Sequence, residues 1–239
     1  MSILSIDGLT KSYGGKVRAV DQLSLTVEPG DIFGFIGKNG AGKTTTLRAV
    51  AGILRYDMGE ILIDGVSLKD EPVLCKQKLA YIPDNPDLYE FMTGRQYLDF
   101  MADIFRIPKQ ARLERSEHYL KALDLGDRVQ DLISSYSHGM KQKLAMIGGF
   151  IHEPLLFLMD EPFVGLDPEA VVKVRQIIKD FCKRGSAVLF STHVLEVAQK
   201  LCNKVAIIKE GSLIAAGDMD AVRGKESLED YFLEAMAHE

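Results

Sequence analysis

The sequence contains no tryptophan and only three cysteines in 239 residues. Cys75, Cys182 and Cys202 are odd in number and far apart, with no C-x-x-C pair, so they support neither a disulfide framework nor a zinc site. The chain reads as a cytosolic protein. It also lacks a run able to cross a membrane: the longest uncharged apolar stretch, 144–151, is about eight residues and holds two glycines, against roughly 20 for a spanning helix. No basic segment followed by an apolar one opens the chain, so residues 1–7 are expected to form a first strand rather than a secretion signal. Positive charge is not in surplus: 29 Lys and Arg face 34 Asp and Glu, a net charge of -5, and no basic patch stands out. Nucleic acid is therefore not expected as a partner. Repeats, low-complexity tracts and long linkers are absent as well.

What is present is ordinary for a globular protein, with 46% hydrophobic and 26% charged residues. A chain of this length buries roughly 70% of its unfolded surface, enough for one core with a lobe attached. Residues 1–36 alternate short Val/Ile/Leu runs with turn residues such as Gly14-Gly15 and Pro29-Gly30, the pattern of a β-rich segment whose last run, 31–36, is fully buried in character. A helix is expected at 43–51, then strands at 60–63 and 79–82, closed by Asp64-Gly65 and by Pro83. Residues 94–150 read as helix almost throughout. Strands at 155–159, 186–190 and 204–208 then alternate with helices at 169–183 and 194–202, which implies a parallel sheet covered by helices. A short amphipathic helix over 227–237 closes the chain. The expected fold class is α/β, a mostly parallel core sheet with an N-terminal antiparallel β subdomain and an inserted α-helical subdomain. The whole of 1–239 forms one domain: 1–84 and 152–239 make the core with its β subdomain, and 85–151 the helical lobe.

Two segments carry chemistry. Gly37-Lys38-Asn39-Gly40-Ala41-Gly42-Lys43-Thr44 fits G-x-x-x-x-G-K-[ST], between a buried strand and a helix, where a phosphate cradle must lie. Its glycines let backbone N–H groups converge on phosphate, Lys43 reaches the β and γ oxygens, and the Thr44 hydroxyl ligates Mg²⁺; Thr45 completes the contact set. The second segment is a buried strand ending in Asp160-Glu161-Pro162. A core strand does not tolerate two adjacent acids without a charged partner, and Mg²⁺ supplies one. Asp160 is expected to hold the metal, and Glu161 to polarise the water that attacks the γ-phosphate. Thus a nucleoside triphosphate and Mg²⁺ are the expected ligand and cofactor.

With these motifs in place, the rest of the chain resembles the nucleotide-binding domains of ABC transporters over essentially its whole length. The resemblance implies that Tyr13 stacks on adenine, although a lone tyrosine near a hairpin is otherwise a packing residue. Tyr136-Ser137-His138-Gly139-Met140 resembles the family signature, which implies phosphate contacts from Ser137 and Gly139. Ser137 also reads independently as the N-cap of the following helix. Gly165-Leu166-Asp167-Pro168 is similar to the loop joining two subunits' sites, and Ser191-Thr192-His193 ends on a residue similar to the switch histidine that contacts the γ-phosphate, so His193 joins Glu161 and Lys43 in the expected catalytic set. The resemblance further implies an ATP-dependent head-to-tail homodimer, or a pair with a related ATPase subunit. It also implies a separate transmembrane permease subunit, and a peripheral place on the inner, cytoplasmic face of a bacterial plasma membrane.

Two positions depart from the commonest family form. Asp84 stands where a glutamine is usual, which makes it a candidate metal contact or part of the partner-facing groove. His138 and Met140 replace the commoner glycine and glutamine. The segments around Tyr81–Pro86, Ser137–Lys143 and Asp160–Phe163 look most like exporter ATPases of the bacterial drug-efflux and Ecs type. Two other readings stay open at this point: a soluble ABC ATPase acting on a macromolecular complex, and a small-molecule kinase or GTPase on the same cradle. Against the first, the chain has neither two ATPase units nor coiled-coil heptads. Against the second, no guanine-specific motif is visible.

Overall fold

The fold is described from a computed structural model, over residues 1–14, 17–224 and 226–237. Strands β1 (Leu4–Tyr13) and β2 (Val17–Val27) form an antiparallel hairpin; Gly15 of its expected turn lies outside the described residues. Next come β3 (Ile32–Ile36), α1 (Lys43–Val50), β4 (Met58–Ile63), β5 (Val66–Ser67), α2 (Pro72–Gln77) and β6 (Leu79–Ile82). Between β6 and the next strand the chain is helical, with α3 (Gly94–Ile104), α4 (Lys109–Ala122), two short 3₁₀ turns and α5 (His138–Phe150). The rest alternates: β7 (Leu156–Asp160), α6 (Pro168–Lys183), β8 (Ala187–Thr192), α7 (Leu195–Leu201), β9 (Lys204–Lys209), β10 (Ser212–Asp218), α8 (Met219–Arg223) and α9 (Leu228–Ala237).

Among the described residues the strands make two sheets. The first, β2-β1-β4-β5, is antiparallel. The second runs β10-β9-β3-β8-β7-β6, parallel except for the β10 edge; β6, four residues long, is the other edge. The expected α/β class with a parallel core is what the fold shows. β3 was read with the N-terminal β-rich segment, but it sits inside the parallel sheet, between β8 and β9. Every residue of β3, β7 and β8 is buried, as strands covered on both faces require.

The period-two alternation of these strands divides the core. Phe157, Met159, Val188 and Phe190 face a layer containing α5, α6 and the helices before them, where Phe150, Phe157 and Phe181 meet with ring centroids 4.8 to 5.7 Å apart. Leu156, Leu158 and Leu189 face α1 and the antiparallel sheet. The apolar run 144–151 is thus a buried helix surface.

Helix α6 shows how local sequence sets an element. Asp167 caps it by accepting from the Ala170 N–H at 2.8 Å, and Pro168 occupies its first turn without losing a needed donor. The sequence reading missed β10, α2 and α8, whose segments are too short or too irregular in polarity to show a period.

At the junction of α5 and the sheet, the His152 ring stacks on Phe105 at 3.6 Å and shares a 3.2 Å hydrogen bond with the Leu79 carbonyl. Burial pushes its pKa down to about 4 from 6.5. Above pH 6.5 the ring is neutral in both folded and unfolded chains; between 6.5 and 4 only the unfolded chain takes up the proton. Stability is therefore full at neutral pH and falls across that window by about 3 kcal/mol. Denaturant melts between pH 4 and 7 are expected to show an acid limb that flattens in His152→Gln.

Candidate functional site

The parallel strands deliver the chemistry at their C-terminal ends, where open α/β sheets bind ligands. β3 ends at Ile36, the chain curls through 37–42, and α1 starts at Lys43. Two glycines on this curl are required. Gly42 has φ 108°, and a Cβ there would run into the Ala19 carbonyl oxygen; a Cβ on Gly37 would meet the Ile208 carbonyl oxygen at 2.6 Å. Gly42 is also the N-cap of α1 and offers no side chain, so the first N–H groups of the helix stay open to an anion.

Lys43 is almost wholly buried and folds back on the curl, its Nζ donating to the Gly37 carbonyl at 2.6 Å and to that of Lys38 at 3.3 Å. Burial lowers its pKa, and the nearby Glu161 and Asp160 carboxylates oppose that shift. The ammonium is thus held by weak carbonyl partners that a phosphate would outcompete.

A cavity of about 390 Å³ opens over the curl. From the cradle it is lined by Asn39, Gly40, Gly42, Lys43, Thr44 and Thr45, from β2 by Ala19, and at and beyond the ends of β6 and β7 by Asp84, Asp160 and Glu161. Asp160 is buried, and the Ser191 hydroxyl donates to its Oδ1 at 2.5 Å. The same hydroxyl accepts from the Glu161 N–H at 3.0 Å, and the Ser191 carbonyl lies 3.2 Å from that nitrogen. Glu161 is left-handed, with φ 45°, a conformation that costs a non-glycine residue roughly 1 kcal/mol or more and is found where neighbours enforce it. His193 Nδ1 lies 2.8 Å from Glu161 Oε1, with the histidine side chain 53% exposed and the glutamate 14%.

The expected site residues do not all meet here. Gly37 and Ala41 shape the cradle from beneath without lining the cavity. Tyr13 is about half exposed at the end of β1, with Lys11 Nζ 5.7 Å from its ring centre, and does not line the cavity. Ser137 and Gly139 lie at the start of α5, also outside the cavity lining. There the Ser137 hydroxyl accepts from the Met140 N–H at 3.3 Å. No group of three or more His, Cys, Asp or Glu able to hold a metal occurs among the described residues, so Asp84 and Asp160 do not form a protein-only metal cage.

The sequence reading attached chemistry to His193 and passed over Ser191 two residues earlier. The pairing of β7 with β8 brings Ser191 opposite Asp160, and nothing local in the sequence signals that pairing. Ser191→Ala removes the hydroxyl that orients Asp160 and bonds the Glu161 backbone. A loss of about tenfold in kcat/KM for ATP is expected, measured as phosphate release, because a hydrogen bond to a charged group is worth about 1.5 kcal/mol or more.

Comparison with known proteins bears on this geometry. Residues 20–164 match the family described as "ABC transporter". The ABC-type transporter ATP-binding protein EcsA of Bacillus subtilis (strain 168) is 34% identical over 98% of this chain and 94% of its own length. The uncharacterised ABC transporter ATP-binding protein YhcH of the same organism is 35% identical over 89% of this chain and 69% of its own length. A solved structure of an ATP binding subunit of an ABC transporter superposes with a TM-score of 0.95 at 30% identity, over 98% of this chain and 100% of that one. A phosphate cradle facing the Asp160–Glu161 acid pair, in a chain matched over nearly its whole length by such subunits, places this protein among the ATP-binding subunits of ABC transporters: it binds ATP and hydrolyses it.

Proposed function

We propose that this chain is the motor of an exporter in which two copies close head to tail around ATP, each lending Ser137 and Gly139 to the other's cradle. The observation that carries this reading is that Glu161, in contact with His193 at 2.8 Å, lines the cradle cavity together with Lys43, whereas Ser137 and Gly139, also expected to touch phosphate, lie outside that lining on the same chain. A second copy is the direct way to bring them to the nucleotide.

In this reading the water attacking the γ-phosphate gives its proton to Glu161 as the new P–O bond forms, and the bond to the bridging oxygen breaks to leave ADP. His193 orients Glu161 and contacts the γ-phosphate, while Lys43 leaves its loop carbonyls to neutralise the β and γ oxygens. Mg²⁺ suits the oxygen donors present: the Thr44 hydroxyl and Asp160 would hold it, with Asp84 as a further candidate, and phosphate oxygens and water fill the rest. When bound it supplies charge neutralisation for the transferring phosphoryl group. Tyr13 is assigned to the adenine.

The division into a core (1–84 and 152–239) and a helical lobe (85–151) gives the permease its seat. A groove of about 360 Å³ lies between them, lined by residues that include Tyr81, Pro83, Leu88 and Phe105. No helix among the described residues is long and apolar enough to cross a membrane. As the similar proteins are named ATP-binding subunits, the permease is proposed as a separate chain, with this subunit on the cytoplasmic face of a bacterial plasma membrane and no nucleic acid among its partners.

The test is the mass of the purified protein by light scattering, with Mg²⁺ and a slowly hydrolysed ATP analogue. A rise from 26.5 kDa to twice that value, absent with ADP, is expected. A mass unchanged by the analogue, while wild type still hydrolyses ATP, rejects the shared site.

A further inference from the structure

We infer that His138 is a positioning residue that latches the signature segment to the loop 163–167 of its own chain, so that both reach a partner's nucleotide as one unit. The inference rests on the shared-site reading above and adds a part to it. The two segments belong to different elements of the fold. The signature opens α5 in the helical stretch, whereas loop 163–167 leaves β7 and caps α6.

Three contacts join them. The His138 ring lies over Gly165, so close that a Cβ on that glycine would stand 2.5 Å from the ring's Cδ2. One residue on, a Cβ on Gly139 would stand 2.6 Å from the Gly165 carbonyl oxygen. One turn further along α5, Lys143 Nζ pairs with Asp167 Oδ2 at 3.0 Å, while the other oxygen of Asp167 holds the α6 cap. Gly165 also has φ 77°, so the loop turns sharply at the point the ring covers. The ion pair is about half exposed on its Asp167 side, with the Lys143 side chain 14% exposed, and contributes only modestly alone. The ring against the glycine backbone is the specific element, since it fits only where Gly165 has no side chain.

Such a latch has a mechanical meaning. A displacement of α5, whether started by nucleotide or by a partner in the neighbouring groove, carries loop 163–167 with it rather than sliding past it. Loosening the latch leaves the chemistry at Glu161 in place but makes the pair harder to assemble. The expected loss therefore falls chiefly on half-saturation by ATP, with kcat changing less.

The experiment uses the full chain and four variants: His138→Ala, His138→Phe, Gly165→Ala and His138→Ala combined with Gly165→Ala. Without nucleotide, amide hydrogen exchange at Val164 and Leu166, which donate within the loop's turns, is expected to be about fivefold faster in His138→Ala than in wild type, in line with coupling between contacting residues. The ATP concentration for half-maximal hydrolysis is expected to rise about fivefold in the same variant. His138→Phe, a ring without nitrogens, is expected to restore both. Adding Gly165→Ala to His138→Ala should cost less than Gly165→Ala costs wild type.

Unchanged exchange in His138→Ala overturns the latch. So does a half-saturation that follows pH between 6 and 8 in wild type and is not rescued by phenylalanine, since that pattern belongs to an imidazolium touching phosphate. Failure of the shared-site reading looks different: mass does not double with the ATP analogue, while the exchange result still decides the latch.

Discussion

Glu161→Gln is expected to lower kcat for ATP at least about a hundredfold, the typical contribution of a positioned general base, while leaving ATP binding intact. The isosteric amide keeps the volume and can still meet His193, yet it cannot take the proton of the attacking water. Its backbone stays fixed by the Ser191 carbonyl and hydroxyl, so the left-handed turn at φ 45° persists and the cavity keeps its shape. With ATP and Mg²⁺ the variant is expected to accumulate as a dimer that wild type forms only transiently. Phosphate release and light scattering measure the two effects separately. A variant that hydrolyses within a few-fold of wild type removes Glu161 as the base, and attention moves to Asp84, which also lines the cavity.

Gly42→Ala is expected to weaken nucleotide binding at least about thirtyfold, or 2 kcal/mol, through two faults in one methyl group. At φ 108° an alanine is strained, and its Cβ points into the Ala19 carbonyl, so the cradle must open before α1 can present its N–H groups. Gly40→Ala is the informative control. Gly40 is also left-handed, at φ 82°, but a Cβ there meets nothing within 4 Å; only the conformational cost of roughly 1 kcal/mol applies, and a loss of about fivefold is expected. Fluorescent-nucleotide titration of both proteins, with circular dichroism to confirm that each is folded, makes the comparison. Equal losses would show that contact with Ala19 is not what fixes the cradle.

The closeness of Gly42 to Ala19 also shows where reading the sequence stops. The cradle was legible because its residues are consecutive and its strand and helix adjoin it; the acid pair was legible because a wholly apolar strand ending in two carboxylates is physically costly without a partner. Ala19 reaches the cavity only because the β1–β2 hairpin folds over the helix, and Ser191 reaches Asp160 only through parallel pairing thirty-one residues apart. Such placements are properties of the sheet order, and no local period reports sheet order. β3 illustrates the same limit: five buried residues look alike whether they close an antiparallel subdomain or occupy the middle of a parallel sheet. His138 was noticed as a departure from a pattern, but its neighbour Gly165 lies on another element and became apparent only from the fold.

The sheet's outer strand has a consequence for self-association. β6 has four residues, pairs on one side only, and runs directly into Pro83, which has no N–H to offer. An edge this short presents few free backbone donors, so another chain finds almost no template for adding a strand. Copies that meet along this edge therefore do not join backbone to backbone, and any pairing through strands falls instead to the longer β10 edge on the far side of the sheet.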